Sequence, residues 1–438
     1  MSNLDLSTEI AGVKFKNPVL PGAGEIAEDV RGVRRMLSGG VGGIVSKSYT
    51  SMRLQVRRPR PNNFMLRGKG FMQAGSFLNY STSHPQTIDI MLETEIPRMV
   101  GECKNADVPF IISCWGMIEV VDGQLKDGSV EDWLSVAQGC EKVGADMIEA
   151  NFACPVARKP FEDNPMLVYE ICKAVVGAVK IPVGFKISPT MGPLEKLTKM
   201  IAGAGAAFIT AHNTTDGVFI DVENEVPLMV PAIGGYSIGR PFLPWSLSRV
   251  ITIKKTADIP VMGIGGIYTY EDALSYILCG CPVVQICSPV YIKGPKLLKE
   301  IIKGIESWME RKGYHSIKEF QGKILPMILP GMELKTEASS ATWAVPPDTP
   351  FVPVVDSNKC TLCGSCEACF KEVFKVSKKE KRFEIHDEYC VSCGMCISIC
   401  PTNALTLVDR ETKNRIIWTG KGLAQPYIDL LKKKRVFK

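Results

Sequence analysis

The sequence lacks the features of a membrane or secreted protein. Its longest run without a charged residue, 273–292, contains Gly280, Pro282 and Pro289, which break a continuous helix. The first residues, MSNLDLSTEI, include acids and no apolar core segment, so no signal peptide is expected. Hydrophobic residues make up 45% and charged residues 22% of the chain, which is typical of a globular protein. We expect a cytoplasmic protein with no membrane contact.

The chain also lacks a recognisable nucleic-acid recognition motif. Its net charge is +6, and most of that excess lies at the end, where residues 421–438 hold six basic residues and one acid. A basic tail of this kind is usually a solvated terminus. We therefore expect no nucleic-acid partner, and the alternative reading is a docking surface for an acidic electron-transfer partner.

Cysteine, in contrast, is abundant, with sixteen residues. In a reducing compartment these are thiols or thiolate ligands, not disulfides. Eight of them form two groups near the carboxyl end, Cys360-Thr-Leu-Cys363-Gly-Ser-Cys366-Glu-Ala-Cys369 and Cys390-Val-Ser-Cys393-Gly-Met-Cys396-Ile-Ser-Ile-Cys400-Pro401.

This spacing predicts two [4Fe–4S] clusters. Three thiolates at steps of three residues bind one corner of a cluster, and the fourth ligand comes from the other group. The predicted ligand sets are Cys360, Cys363, Cys366 and Cys400 for one cluster, and Cys390, Cys393, Cys396 and Cys369 for the other. Structural zinc is the alternative, but zinc uses pairs without a third cysteine at the same step. The first group departs from the usual spacing, since two residues precede Cys369 and no proline follows it.

Eight short apolar runs in the first ~310 residues alternate with amphipathic stretches, which is the signature of an α/β fold built as a (β/α)8 barrel. The runs are 17–20, 43–47, 109–115, 146–152, 182–187, 206–212, 260–263 and 282–287. The long gap after the second run predicts an extra hairpin or lid. A doubly wound sheet is the alternative, although residues 19–24 match its glycine-rich turn only weakly.

The predicted organisation has four parts. Residues 1–310 form the barrel, 311–350 a connector, 351–410 a ferredoxin-like domain with two clusters, and 411–438 a basic tail. A chain of 438 residues is long enough for a barrel and an appendage.

The chemistry of a barrel lies at the carboxyl ends of its strands. Lys47 and Lys186 follow two strands, where a positive charge favours reduced flavin; otherwise they are solvated lysines. Residues 263–266, Gly-Ile-Gly-Gly, expose backbone amides suited to a phosphate, or form a tight turn. Cys154 follows another strand directly, and its thiol there is a candidate general acid; the alternative is an inert, half-buried cysteine.

These residues resemble the dihydroorotate dehydrogenase superfamily over residues ~6–407, and most of all the FMN and iron–sulfur part of dihydropyrimidine dehydrogenases. The matching motifs are Ser46-Lys47-Ser48, Ser76-Phe-Leu-Asn79, Asn151-x-x-Cys154-Pro155, Phe185-Lys186, Asn213-Thr214, Gly265-Gly266-Ile267 and Gln285-Ile-Cys287-Ser288.

The resemblance implies a role for each matched residue. Lys47 and Lys186 would contact the FMN ring and ribityl chain, and Cys154 would exchange a proton with the substrate. The residues beneath the ring would be Gly22, Ala23 and Gly24. Those near the phosphate would be Gly234, Gly235, Gly265, Gly266, Cys287 and Ser288. The substrate's amide groups would meet Asn79, Asn151, Asn213 and Thr214, since each asparagine offers both a donor and an acceptor.

The sequence departs from the family around the reactive cysteine. Ala153 stands where a serine is usual, and Val156 where asparagine or histidine is usual. Arg158 and Lys159 add two cations, which would suit a substrate with a carboxylate. Segments that would bind FAD or NADPH are absent.

The resemblance thus implies an oxidoreductase that reduces the C=C bond of uracil or thymine to the 5,6-dihydro form, with a role in pyrimidine degradation. Electrons would come through the clusters from an NAD(P)H- and FAD-containing partner subunit or from ferredoxin, in a homo- or hetero-oligomer. The alternatives are the same chemistry on another conjugated ring or enoyl acid, or a non-catalytic electron-transfer subunit.

Overall fold

The computed structural model describes residues 4–51, 63–66, 75–79, 83–117, 119–121, 124–126, 128–154, 158–228, 234–328 and 351–417. They fall into two units, one ending at Leu325 and the other beginning at Pro326. Residues 329–350 of the predicted connector and residues 418–438 of the predicted tail lie outside the described residues.

The first unit is a parallel eight-stranded barrel, as the sequence predicted. Its strands are β1 (Val19–Pro21), β2 (Ile44–Val45), β3 (Phe110–Trp115), β4 (Met147–Asn151), β5 (Val183–Lys186), β6 (Phe208–Thr210), β7 (Val261–Ile264) and β8 (Val283–Ile286). Neighbours pair in the order β1-β8-β7-β6-β5-β4-β3-β2. The Gly42 amide donates to the Val19 carbonyl at 2.9 Å and joins the two ends of that series.

Helices cover the outside of the barrel, because apolar residues recur on one side of each. Their bounds are α1 (Val30–Leu37), α2 (Ile88–Glu93), α3 (Ile96–Asn105), α4 (Ser129–Lys142), α5 (Lys159–Asp163), α6 (Pro165–Ala178), α7 (Leu194–Gly203), α8 (Leu243–Thr256), α9 (Tyr270–Leu278), α10 (Ser288–Lys293) and α11 (Lys296–Lys312). No helix among the described residues has the length and apolar character needed to cross a membrane.

The interior of the barrel is apolar toward the amino-terminal ends of the strands. One cluster of fully buried side chains fills it: Leu20, Val45, Ile111, Met147, Phe208, Met262 and Val283. A hairpin, Thr8–Ile10 with Val13–Phe15, adds Ile10 and Phe15 to this cluster. Its two-residue turn, Ala11-Gly12, has positive φ at both positions, as a tight hairpin requires.

The predicted hairpin after the second strand is present as part of a small antiparallel sheet. Its four strands, in spatial order, are Thr215–Gly217, Gly234–Ser237, Phe77–Asn79 and Asn63–Met65. Gly235 lies opposite Asn79, so this sheet brings together loops that are far apart in sequence.

Residues beyond 310 continue the first unit as far as Leu325. Ile317 and Phe320 are fully buried in the main core, and the Asp5 amide donates to the His315 carbonyl at 2.8 Å. This segment therefore packs against the barrel.

The second unit is built from short antiparallel strands around cysteine-bearing turns. One sheet contains Phe351–Val355, Leu405–Asp409 and Arg415–Ile416, and a hairpin pairs Phe374–Ser377 with Arg382–Ile385. A short helix, α12 (Met395–Ile399), follows the second cysteine group's first turn. This arrangement confirms the predicted ferredoxin-like domain after a barrel.

Candidate functional site

A cavity opens at the carboxyl ends of the barrel strands. It gathers nearly all the residues that the sequence singled out in the barrel: Ala23, Gly24, Lys47, Asn79, Asn151, Cys154, Lys186, Asn213, Thr214, Gly234, Gly235, Gly265, Gly266, Cys287 and Ser288. Gly22 lies behind this lining, where a Cβ would be 3.2 Å from Cys287 Cβ. One cavity thus collects residues from most of the barrel strands.

Two buried lysines point positive charge into this cavity. Lys47 follows β2 and Lys186 ends β5, and they are 6% and 3% exposed. They are therefore not the solvated lysines of the alternative reading. Buried ammonium groups need compensation, and Lys186 Nζ lies 4.0 Å from Glu149 Oε1.

Glu149 belongs to a buried polar layer that sequence reasoning missed. Its Oε2 accepts hydrogen bonds from Thr210 Oγ1 at 2.8 Å and from Gln285 Nε2 at 2.7 Å. An acidic residue inside an otherwise apolar strand, Met-Ile-Glu-Ala-Asn, was the available signal, because such a strand is expected to be buried on both faces.

The reactive-cysteine candidate is buried next to a hydroxyl. Cys154 is 4% exposed, and its Sγ lies 3.8 Å from Ser83 Oγ. Ser83 in turn accepts a hydrogen bond from Trp115 Nε1 at 2.6 Å. Ser83, which sequence reasoning also missed, therefore places a hydroxyl beside the Cys154 thiol, whereas Ala153 carries none.

The loop that carries Cys154 is held by two of the predicted asparagines. Asn151 Oδ1 accepts from the Ala153 amide at 2.9 Å, and Asn151 Nδ2 donates to Ser48 Oγ at 2.9 Å. Asn213 Nδ2 donates to the Ala153 carbonyl at 3.0 Å. Each asparagine therefore orders the lining before any ligand is bound.

Glycines form one wall where only backbone fits. Gly265 has φ +103°, and a Cβ there would lie 2.6 Å from the His212 ring. A Cβ at Gly266 would lie 2.5 Å from the Leu243 amide nitrogen, and one at Gly235 2.7 Å from Thr214 Oγ1. A wall of bare backbone next to two lysines suits a phosphate-bearing cofactor.

His212 lines the cavity as a neutral group. It is 2% exposed; its Nδ1 donates to the Asn213 carbonyl at 2.8 Å, and its Nε2 lies 2.8 Å from Ser246 Oγ. Burial lowers the pKa of His212 to about 3. Cys287 is also unlike a reactive thiolate, because burial raises its pKa to about 11.

The two cations that follow Cys154 in the sequence, Arg158 and Lys159, do not line the cavity. Arg158 pairs with Glu162 at 3.2 Å and with Asp216, and Lys159 pairs with Asp163 at the surface. Both cations are thus paired with acidic side chains in this arrangement, and the expectation that they would receive a substrate carboxylate stays a prediction. Pro155 and Val156, the other noted positions, lie outside the described residues.

The cysteines of the second unit surround two smaller cavities. One is lined by Cys360, Cys363, Cys366 and Cys400. The other is lined by Cys369, Cys390, Cys393 and Cys396, and Cys366 lines both. Among the described residues, no group of three or more Cys, His, Asp or Glu side chains lies close enough together to hold a single metal ion.

The chain matches two family models. Residues 5–309 match "Dihydroorotate dehydrogenase", and residues 383–406 match "4Fe-4S binding domain". The second match contains the cysteine group from Cys390 to Cys400, and the first cysteine group lies outside it.

Several curated proteins are similar to the barrel part of the chain. The dihydroorotate dehydrogenase B (NAD(+)) catalytic subunit of Methanocaldococcus jannaschii is 31% identical over 316 residues, which is 71% of this chain and 96% of that protein. The subunit of the same name from Pyrococcus furiosus is 30% identical over 322 residues, covering 73% and 98%. Nearly the whole of these relatives thus aligns with about three quarters of this chain.

Proposed function

The chain belongs to the dihydroorotate dehydrogenase family, and we propose that it is an FMN- and iron–sulfur-dependent reductase of the C=C bond of a pyrimidine base. Family membership makes it an oxidoreductase with a flavin, and the second domain is of the 4Fe–4S binding type. The narrower likeness to dihydropyrimidine dehydrogenases rests on the fused cysteine-rich domain and on the cavity.

The proposal of a neutral pyrimidine substrate rests on the charged side chains that line the cavity. Among the described lining residues, the cationic side chains are Lys47 and Lys186, and His212 stays neutral. Arg158 is committed to two carboxylates, and Arg249 donates to the carbonyls of Ala211, Pro189 and Ser188. If the two lysines serve the flavin, the described lining offers amides and hydroxyls to the substrate. Such a lining favours a neutral ring with alternating N–H and C=O groups.

The fit of a flavin is supported by the same cavity. Backbone at Gly235, Gly265 and Gly266 would hold the phosphate, and Lys47 and Lys186 would meet the ring and ribityl chain. When bound there, FMN supplies the hydride that adds to one carbon of the double bond. Positive charge beside the ring favours its reduced form.

Cys154 would deliver the proton to the neighbouring carbon. Its burial keeps water from competing for that position, and Ser83 lies near enough to orient the thiol. Asn151 and Asn213 hold the Cys154 loop through Ala153, and their remaining amide hydrogens are available to carbonyl oxygens of the substrate. Asn79 and Thr214 complete the set of proposed polar contacts.

Two [4Fe–4S] clusters are proposed in the second unit. The sequence-predicted ligand sets each surround one cavity, Cys360, Cys363, Cys366 and Cys400 in one case and Cys369, Cys390, Cys393 and Cys396 in the other. All eight are soft thiolate donors of the type that iron–sulfur clusters require. The clusters would carry electrons from an NAD(P)H- and FAD-containing subunit or from ferredoxin.

A second candidate is the oxidation of a dihydro acid such as dihydroorotate. The names of the similar subunits favour it, and it would use the same thiol as a general base. Its substrate would carry a carboxylate, for which the cations of the described lining are Lys47 and Lys186.

The test is a substrate comparison on anaerobically purified protein, reconstituted with FMN, iron and sulfide and supplied with a chemical reductant. We expect consumption of uracil or thymine and little of orotate. Preferential turnover of orotate, or of dihydroorotate with an electron acceptor, would replace the first proposal by the second. Protein that binds FMN and reduces neither class would favour another conjugated ring or a non-catalytic role.

A further inference from the structure

A fully buried carboxylate lies directly under the cavity floor. Side chains of a strand alternate between its two faces, so Glu149 lies on the same face of β4 as Asn151, one step deeper in the barrel. Glu149 is 0% exposed and is not itself part of the cavity lining. It contacts the cavity through Lys186, 4.0 Å away.

The hydrogen bonds of Glu149 are unevenly distributed. Thr210 and Gln285 both donate to Oε2, whereas Oε1, the oxygen nearest Lys186, has no hydrogen-bond partner among the residues that the structure describes. Hydrogen bonds from two donors and a neighbouring ammonium group are the contacts that compensate negative charge on a carboxylate. An ionised group buried in this way is costly unless its charge is compensated, and the compensating charge here is Lys186.

Stability alone does not explain such a pair. A buried ion pair contributes little net stability compared with apolar residues of the same size, and the layer just below is entirely apolar. The remaining explanation for the pair is electrostatic. The negative charge of Glu149 partly cancels the positive charge of Lys186 at the site where the flavin ring is proposed to lie.

We propose that Glu149 is a positioning residue that holds Lys186 at the cavity floor and lowers the reduction potential of the bound flavin. The proposal rests on the flavin lying in this cavity but not on the identity of the substrate. Because reduced flavin carries more negative charge than oxidised flavin, a nearby carboxylate disfavours reduction. Removing its charge should therefore raise the potential.

The test is Glu149→Gln, which keeps the size of the side chain and one acceptor oxygen for Thr210 and Gln285. We expect the variant to bind reduced FMN at least tenfold more tightly, relative to oxidised FMN, than the unchanged protein does. For a two-electron couple this ratio corresponds to a rise of about 30 mV. The readouts are the midpoint potential by spectroelectrochemistry and FMN affinity by fluorescence, neither of which requires turnover.

Thr210→Val is the matched control. It removes one hydrogen bond from the same carboxylate oxygen without changing any charge, so we expect a shift of less than threefold in the same affinity ratio. A Glu149→Gln shift no larger than the Thr210→Val shift would overturn the proposal. Unchanged protein that binds no FMN would instead overturn the flavin assignment, so the two failures are distinguishable.

A second comparison covers the case in which Glu149→Gln does not fold. Lys186→Gln leaves the carboxylate without its partner, and the double variant Lys186→Gln/Glu149→Gln replaces the pair by two amides. We expect the affinity for reduced FMN, relative to oxidised FMN, to be at least tenfold higher in the double variant than in Lys186→Gln. This corresponds to a midpoint potential that is higher by about 30 mV or more. Equal potentials in these two variants would also overturn the proposal.

Discussion

The two ends of the barrel interior differ sharply although the same strands build both. Toward the amino-terminal ends, Met147, Phe208 and Val283 are fully buried in an apolar layer. Two residues later on the same three strands come Glu149, Thr210 and Gln285, which form the buried hydrogen-bonded layer under the cavity. A step of two residues, the repeat of a strand, separates the part that stabilises the fold from the part that carries the chemistry.

The largest expected effect is on stability at the apolar end. The Phe208 ring lies against Gly184, where a Cβ would be 2.3 Å from ring atoms. We expect Phe208→Ala to lower the free energy of unfolding by about 3–5 kcal/mol, because it removes a buried ring and leaves a cavity. Chemical denaturation of the FMN-loaded protein measures this.

The same pair offers a sharper form of that test. Gly184→Ala alone should destabilise by about 1–3 kcal/mol through overpacking. In the double variant, the methyl group added at residue 184 partly fills the cavity that Phe208→Ala leaves. The free energy of unfolding should therefore fall by less than the sum of the two single losses. Strict additivity would show that the two residues are not in the contact described here.

At the polar end, the largest effect should be on turnover and not on stability. Cys154→Ala removes the proposed proton donor, and loss of a general acid costs about 100-fold to 10,000-fold in rate. Steady-state assays on the preferred substrate measure this, with the melting temperature as a check on folding. Cys172→Ala, a buried cysteine on α6 outside the cavity lining, is the matched control. Normal turnover by Cys154→Ala would favour a non-catalytic barrel.

Cofactor affinity should depend on the glycine wall. Gly265→Ala places a methyl group 2.6 Å from the His212 ring at a positive φ, so the loop must move. We expect FMN affinity to fall about tenfold or more, equivalent to about 1.4 kcal/mol, as measured by fluorescence titration. Gly101→Ala, whose Cβ would meet nothing within 4 Å, should bind FMN normally.

Acid should lower the free energy of unfolding through His212, which lines the cavity at the polar end of the barrel. Its folded-state pKa of about 3 lies below the ordinary value of 6.5, so the unfolded chain binds an extra proton between those pH values. The contribution of the neutral His212 to the free energy of unfolding is fully present above pH ~6.5. It falls by about 1.4 kcal/mol per pH unit as the pH drops toward 3. The melting temperature of His212→Gln should therefore fall less steeply with acid than that of the unchanged protein. Parallel curves would contradict the assignment of a buried neutral imidazole.

The two ends of the barrel also differ in how well the sequence predicts them. Short apolar runs of the strand type predicted all eight barrel strands, because burial on both faces leaves a continuous hydrophobic signal. Motifs at strand ends predicted most of the cavity lining. Glu149 and Ser83 were not predicted, since their roles depend on contacts with residues far away in the chain, Gln285 and Cys154. The pairing of Arg158 with Asp216 likewise depends on two loops meeting in space.

The smallest expected effect concerns how the Cys154 loop is held at the edge of the polar end. The Arg158 amide donates to the Cys154 carbonyl at 2.9 Å, and its side chain, 12% exposed, reaches Glu162 and Asp216. Asp216→Asn should lower kcat about two- to tenfold with little change in KM, because it loosens the proton donor without touching bound substrate. Asp163→Asn breaks the exposed Lys159 pair on the same helix and should have no measurable effect, since surface pairs contribute little. If the two variants behave alike, the loop is positioned by Asn151 and Asn213 without help from Arg158.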